Sequence, residues 1–334
     1  MKRTAGVTTT LAALAFLAGC ATPAPPSDPA LQFIDQSKLP VSDVSLTIPG
    51  LGPCTDSPDR TLKLASGQPL TVLVHGCFSS AGRFRGLAQV LAFHGQQSAC
   101  FTYNDRDSLT KSTGELKAAL AQLAQRAPDA KVAIIGHSQG ALIARKAMVD
   151  ERAAASATDR QLRLVTVSGP FAGIAAAKSC GNPVLHALSL GLVGPICQLI
   201  TGSKWSEITY SSPFITAPGE LGSHVQDYLK IVTDERGTCR RVTNGNCAES
   251  DAIFSVAEQR NPVVDGDPRV KIIEVKAGHV EIVGNNQVAP AKLIAILQQN
   301  DIIRPTEPAR AEKFGQLLST LYGDADPATT AAIP

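Results

Sequence analysis

The chain has 334 residues, 44% of them hydrophobic and 18% charged, and its 31 Lys and Arg against 29 Asp and Glu give a formal net charge of +2. That apolar share can build a sizeable core and argues against a disordered chain, and α/β architectures of this length often form one undivided domain. With charge so near balance and no block of Lys or Arg, the composition excludes a nucleic-acid binder that works through the phosphate backbone.

In chain order, Met1-Lys2-Arg3 is a short basic start, and the apolar stretch at 11–18 is too short to span a bilayer comfortably, so it reads as a signal peptide. It ends in Leu17-Ala18-Gly19-Cys20, which resembles the bacterial lipobox, where the cysteine is acylated and becomes the mature N-terminus. The resemblance implies a signal peptide at 1–19 and a lipid anchor on Cys20, the membrane partner. Ala21 in place of Asp then implies the outer membrane of the cell envelope. Several acyl chains would make that anchor stable. Residues 20–40 supply the lipidated cysteine and a Pro-rich linker, 41–322 the folded domain, and 323–334 a loose tail.

Seven cysteines remain after Cys20, an odd number for an exported protein. Cys239 and Cys247 flank the turn-forming Asn244-Gly245-Asn246 and are expected to pair, as are Cys180 and Cys197, while Cys54, Cys77 and Cys100 stay unassigned. There is no CxxC, and the six histidines are scattered, so neither a metal nor any other cofactor is expected.

Within the domain, apolar runs predict strands at 44–48, 70–74, 99–103, 131–136, 162–167 and 270–275, with a possible one at 241–243. Helical spacing predicts helices at 84–96, 115–126, 141–152, 220–232, 289–299 and 308–321. Strand and helix alternate, and the strands are continuous apolar runs. That pattern belongs to a mostly parallel central sheet, here of the eight-stranded type, with helices on both faces. The regularity lapses after Gly169, and a small cap or lid insert is expected at about 170–218. Its apolar stretch at 183–195 reads equally as a lid facing lipid or as a cap helix packed on the core.

The chemistry centres on Gly136-His137-Ser138-Gln139-Gly140, a G-x-S-x-G sequence between a predicted strand and a predicted helix. A serine on so tight a turn has strained backbone angles, and Gly136 and Gly140 leave room where strand and helix crowd it. The helix start directs partial positive charge at a developing oxyanion. Upstream, His75-Gly76-Cys77-Phe78 closes a strand, and the expected oxyanion donors are the backbone N–H groups of Cys77 and Gln139. His75 reads as a prop for that loop. A serine needs a base to take its proton. His279, just past a predicted strand, is the first choice over His224, held in a predicted helix, and His186, in the irregular insert. Among the acids that could orient the imidazole, Asp251 is preferred to Asp234, Asp265 and Asp267, the last two reading as a solvated turn.

These pieces resemble the lipase and esterase branch of the α/β-hydrolase superfamily, bacterial triacylglycerol lipases in particular. Val72-Leu73-Val74-His75-Gly76 is similar to the oxyanion strand, Gly136 to Gly140 to the elbow, and Ser168-Gly169-Pro170-Phe171-Ala172-Gly173 to the segment after the next strand. Ser250-Asp251 and Gly278-His279 are similar to the acid and base loops. The likeness spans roughly 70–283 and departs in the Cys after His-Gly and in the extra cysteines. It implies an α/β-hydrolase fold and a lipase or carboxylesterase that cleaves lipid-type esters through Ser138, His279 and Asp251. Acyl transfer by the same residues, or a non-catalytic envelope lipoprotein on this scaffold, are the alternatives.

Overall fold

The computed structural model describes residues 39–149, 162–174, 203–285 and 288–323. The lipobox-like segment with Cys20, the expected pair Cys180 and Cys197, and His186 lie outside these residues, as does most of the expected insert.

The strands are β1 (Val44–Leu46), β2 (Leu51–Gly52), β3 (Leu62–Leu64), β4 (Leu70–Val74), β5 (Gln97–Phe101), β6 (Val132–His137), β7 (Leu162–Val167), β8 (Val225–Asp234), β9 (Cys239–Thr243), β10 (Asn246–Ser250) and β11 (Val270–Lys276). The longer helices are α1 (Arg85–Phe93), α2 (Leu109–Arg126), α3 (Gln139–Ala147), α4 (Ala291–Gln299) and α5 (Ala311–Tyr322).

Seven strands, rather than eight, form the central sheet among the described residues, in the order β11-β8-β7-β6-β4-β5-β2. Every neighbouring pair is parallel except β2 with β5. The pleat sends successive side chains to opposite faces, and the core splits accordingly. Val72, Ile134 and Leu164 join α2 and α3 in one apolar cluster, while Leu73, Ile135 and Val165 join α1, α4 and α5 in the other. Both faces of the sheet are therefore covered, which is why its strands read as unbroken apolar runs. Apart from the sheet, β1 pairs with β3 and β9 with β10, each antiparallel.

One predicted element changes class. The segment expected as a helix at 220–232 is largely β8, paired in parallel with β7 on one side and β11 on the other. Its Glu, Gln, Leu and Lys content suits a helix, but Tyr228, Ile231, Val232 and Thr233 suit a doubly covered strand, and burial decides. The charge that disguised it, Lys230, is 1% exposed, bonded to Asp265 and set 4.8 Å from the centre of the Phe171 ring.

Cys239 and Cys247 are bonded across the β9–β10 hairpin, as expected from their spacing. Cys54 and Cys100 form a second disulfide that the spacing left open. Among the described residues no helix is long and apolar enough to cross a membrane.

Candidate active site

β6 lies at the middle of the sheet and runs straight into Ser138, which precedes α3 and has φ 57° and ψ −124°. A non-glycine residue holds such angles only where its surroundings enforce them. Here the Ser138 N–H donates to Val167 O at 2.9 Å, which continues the β6–β7 ladder, and Ser138 O accepts from Ala141 N at 3.0 Å, which starts the helix. The two glycines are sterically required. A Cβ on Gly136 would come within 2.3 Å of Gly140 O, and one on Gly140 within 2.2 Å of Val74 O. Strand β4, the elbow and α3 thus pack backbone against backbone.

The loop after β4 passes over the serine: a Cβ on Gly76 would sit 2.9 Å from Ser138 Cβ. His75 holds that loop from below. It is 1% exposed, its Nδ1 is 2.9 Å from Gly76 O, and its ring stacks on Tyr103 with centroids 4.4 Å apart. The Tyr103 hydroxyl donates to His75 O at 2.7 Å. Burial lowers the His75 pKa, so the ring is held neutral. The two residues expected to supply oxyanion donors meet, since the Cys77 thiol donates to Gln139 Oε1 at 2.8 Å. Phe78 follows with φ 50° and its side chain exposed.

His279 follows β11, and its ring is buried against His137 and Phe254, with centroids 4.7 and 4.8 Å away. His137, next to the serine, directs Nε2 at His279 O across 2.9 Å. Desolvation pushes the His137 pKa well down, aided by the neighbouring His279 and Arg83. It therefore acts as a neutral donor that pins the base loop to the elbow.

The carboxylate on the His279 ring is not Asp251. His279 Nδ1 lies 2.9 Å from Glu235 Oε1, and Glu235, directly after β8, is 1% exposed. Thr233 Oγ1 donates to the same oxygen at 2.9 Å, and the N–H groups of Ile253 and Phe254 donate to Oε2 at 2.6 and 2.7 Å. Four hydrogen-bond partners thus converge on this carboxylate. Asp251 serves the same loop through its backbone: its carboxylate accepts from Val280 N at 3.0 Å and Glu281 N at 2.9 Å, and from Arg240 at 3.2 Å, while its own carbonyl accepts from His279 N at 2.9 Å. Following β10 of the hairpin that stands apart from the central sheet, it shapes the histidine's loop instead of touching its ring.

The other candidates lie apart. Asp234 pairs with Arg236 and Lys276, Asp267 with Arg269, and Asp265 with buried Lys230 in the short helix Pro262–Asp265, so it is not part of a solvated turn. His224 precedes β8, at the opposite end of the sheet from the serine. Glu235 adjoins Asp234, an acid the sequence does offer, but candidates confined to aspartates pass over it, and a helix at 220–232 leaves it no strand end. Read as a strand, that segment would have ended at 234, leaving Glu235 first on a loop at the sheet's active end. Among the described residues no group of three or more His, Cys, Asp or Glu is arranged to hold a metal.

The family model for palmitoyl protein thioesterase matches residues 71–217. This is less than half of the chain; it takes in Cys77 and the elbow and stops before Glu235 and His279. No curated protein sequence matches the chain. Among solved structures, the Bacillus licheniformis lipase BlEst2 in its propeptide form aligns with a TM-score of 0.51 and 15% identity, over 77% of this chain and 54% of that one. Its mature form gives 0.47 and 15%, over 76% and 97%. An esterase of the Planctomycetes species Thermogutta terrifontis gives 0.42 and 13%, over 75% and 88%. The likeness at that identity is one of fold, and the fold is that of the α/β hydrolases. With a thioesterase match across the elbow, the protein is an ester-cleaving serine hydrolase of this fold.

Proposed function

We propose that this α/β serine hydrolase cleaves lipid-type acyl esters, thioesters included, through an acyl-enzyme on Ser138, with His279 as base and Glu235 as the acid that orients it. The 2.9 Å contact between Glu235 Oε1 and His279 Nδ1, at the end of the sheet that carries the strained serine, is the observation behind this reading. With its proton on Nδ1 and facing a carboxylate, the imidazole offers Nε2 as the basic nitrogen.

In the reaction, Ser138 Oγ bonds to the acyl carbon as its proton passes to His279 Nε2. The carbonyl electron pair becomes an oxyanion facing the N–H groups of Cys77 and Gln139. Collapse breaks the bond to the alcohol or thiol, which leaves with the proton from His279. A water molecule then repeats the sequence, with His279 again as base, and releases the carboxylic acid and free Ser138. No cofactor takes part. Thioesters enter the proposal through the match to palmitoyl protein thioesterases. The lipobox supports an exported enzyme held by Cys20 at the outer membrane, where acyl lipids are at hand.

The test is a chain-length series from acetate to palmitate, as p-nitrophenyl esters and as S-acyl thioesters, on wild type and Ser138→Ala. Wild type should turn over and prefer long chains, and Ser138→Ala should lose about 10⁴–10⁶-fold. Appreciable turnover by the folded alanine variant would overturn the nucleophile. A preference for acetate would overturn the lipid-type substrate.

A further inference from the structure

We infer that Lys204 is a positioning residue for the oxyanion hole, its buried ammonium tying the loop of Cys77 and Phe78 to the loop of Asp105. The inference rests on the reading of Ser138 as nucleophile. Lys204 lies in the short 3₁₀ turn Ser203–Ser206, far in sequence from both loops, and is 1% exposed. Its Nζ is 3.2 Å from Cys77 Sγ, donates to Asp105 O, stands 3.7 Å from Asp105 Oδ2 and is 5.4 Å from the centre of the Phe78 ring.

These contacts close a ring of interactions around the hole. The Cys77 thiol accepts from Lys204 and donates to Gln139 Oε1 at 2.8 Å, and Gln139 Nε2 donates to Asp105 O at 3.2 Å, the same carbonyl that Lys204 engages. The Asp105 carboxylate accepts the Phe78 N–H. Both residues whose N–H groups are to meet the oxyanion, Cys77 and Gln139, are thus fixed by their side chains to one carboxylate-bearing loop and one lysine. The lysine is itself braced, because Glu207, three residues on, accepts from Ser108 Oγ at 3.0 Å, Thr110 Oγ1 at 2.6 Å and the Leu109 N–H, joining the turn to the start of α2.

Burying an ammonium is costly, and where only stability matters an apolar side chain of similar volume serves as well or better. A donor hole, by contrast, works only when its N–H groups are held in place before charge develops, and a displacement of about 1 Å can cost on the order of 10²-fold in rate. Phe78 makes the need specific: with φ 50° and an exposed side chain, it adds little packing of its own beyond Cys77. The lysine supplies that hold.

The experiment compares wild type, Lys204→Met, Asp105→Asn and Ser138→Ala as full folded domains, with unfolding temperature and circular dichroism as fold controls. The readouts are kcat, KM and the inhibition constant of a long-chain alkyl trifluoromethyl ketone. Ser138 Oγ adds to the carbon of that ketone, the carbonyl pair becomes an oxyanion in the hole, and the proton goes to His279. Lys204→Met should lower kcat by about 10–100-fold and weaken the ketone by a similar factor, with KM within a few-fold. Asp105→Asn should shift both in the same direction by less. A merely structural lysine would lower the unfolding temperature and leave kcat and ketone affinity of the folded enzyme alone. That outcome, with Ser138→Ala inactive, overturns the inference and spares the nucleophile. If Lys204→Met does not fold, Asp105→Asn decides, and unchanged ketone affinity there overturns the inference. Activity in Ser138→Ala overturns both.

Discussion

The elbow and the acid–base end of the site are held by different kinds of force. At the elbow, Gly136, Gly140, Val74 and His75 meet backbone to backbone, and no side chain larger than hydrogen fits. At the other end, His279 is held by polar contacts drawn from distant segments: Glu235 on its ring, Asp251 on its loop, and His137 on its carbonyl. A steric constraint acts over five consecutive residues and leaves a motif. A hydrogen-bond network assembled from β8, the β9–β10 hairpin and β11 leaves none, because many carboxylates in the right order could fill the position. At Gly136 and Gly140 the first region leaves no room for a side chain, and the second is joined through its carboxylates.

The sharpest way to break this comparison is to exchange charge for amide at the two carboxylates. Glu235→Gln should lower kcat by about 10⁴-fold, since an amide beside Nδ1 favours the wrong tautomer. Asp251→Asn should cost roughly 1–3 kcal/mol of stability through the Val280 and Glu281 N–H groups, with a much smaller loss of kcat. Steady-state kinetics and urea unfolding on both variants check this, and a larger kcat loss in Asp251→Asn would reverse the two roles.

At the elbow, Gly140→Ala should destabilise by about 1–3 kcal/mol or more, because the new methyl meets the carbonyl oxygens of Val74, at the end of β4, and of His75 just after it. Gly114→Ala in α2 is its counterpart: a Cβ there meets nothing within 4 Å, and the helix should gain about 0.5–1 kcal/mol. Thermal unfolding of the pair reads the difference. Equal effects would mean that the elbow can relax and is not sterically locked.

A graded effect joins both regions through pH. His75 and His137 are buried with lowered pKa, so the folded protein keeps them neutral while the unfolded chain takes up protons below the usual value of 6.5. The unfolded state then binds more protons, and stability falls as pH drops below about 6.5, by up to about 1.4 kcal/mol per pH unit for each ring. Urea unfolding from about pH 7.5 to 5.5 should show that decline. A flat profile would mean that these rings titrate as freely in the fold as outside it.

Much of this site was legible in the chain because it depends on local rules. The serine turn, the His-Gly loop before it and the histidine after the last strand each follow an apolar run, and a parallel sheet brings the C-terminal ends of such runs to one side. What stayed hidden depended on burial. A lysine in the run 220–232 suits a helix unless an acid such as Asp265 meets it inside the fold, and a helix there leaves Glu235 no strand end to mark it. Asp251 does lie against the base loop, but whether an acid there meets the ring or the loop's N–H groups depends on orientation, which spacing does not encode. The Cys54–Cys100 bond likewise needed the pairing of β2 with β5, two segments separated by α1.

That short β2 has a consequence for how the protein meets its own copies. An open sheet can recruit further strands at its margins, the usual route to aggregation. At one margin here the last strand is two residues long, Leu51–Gly52, and a disulfide fastens the chain just after it. At the other, β11 interrupts its apolar residues with exposed Lys271, Glu274 and Lys276. Among the described residues, one margin is too short to template a neighbour and the other is charged, and both disfavour strand addition.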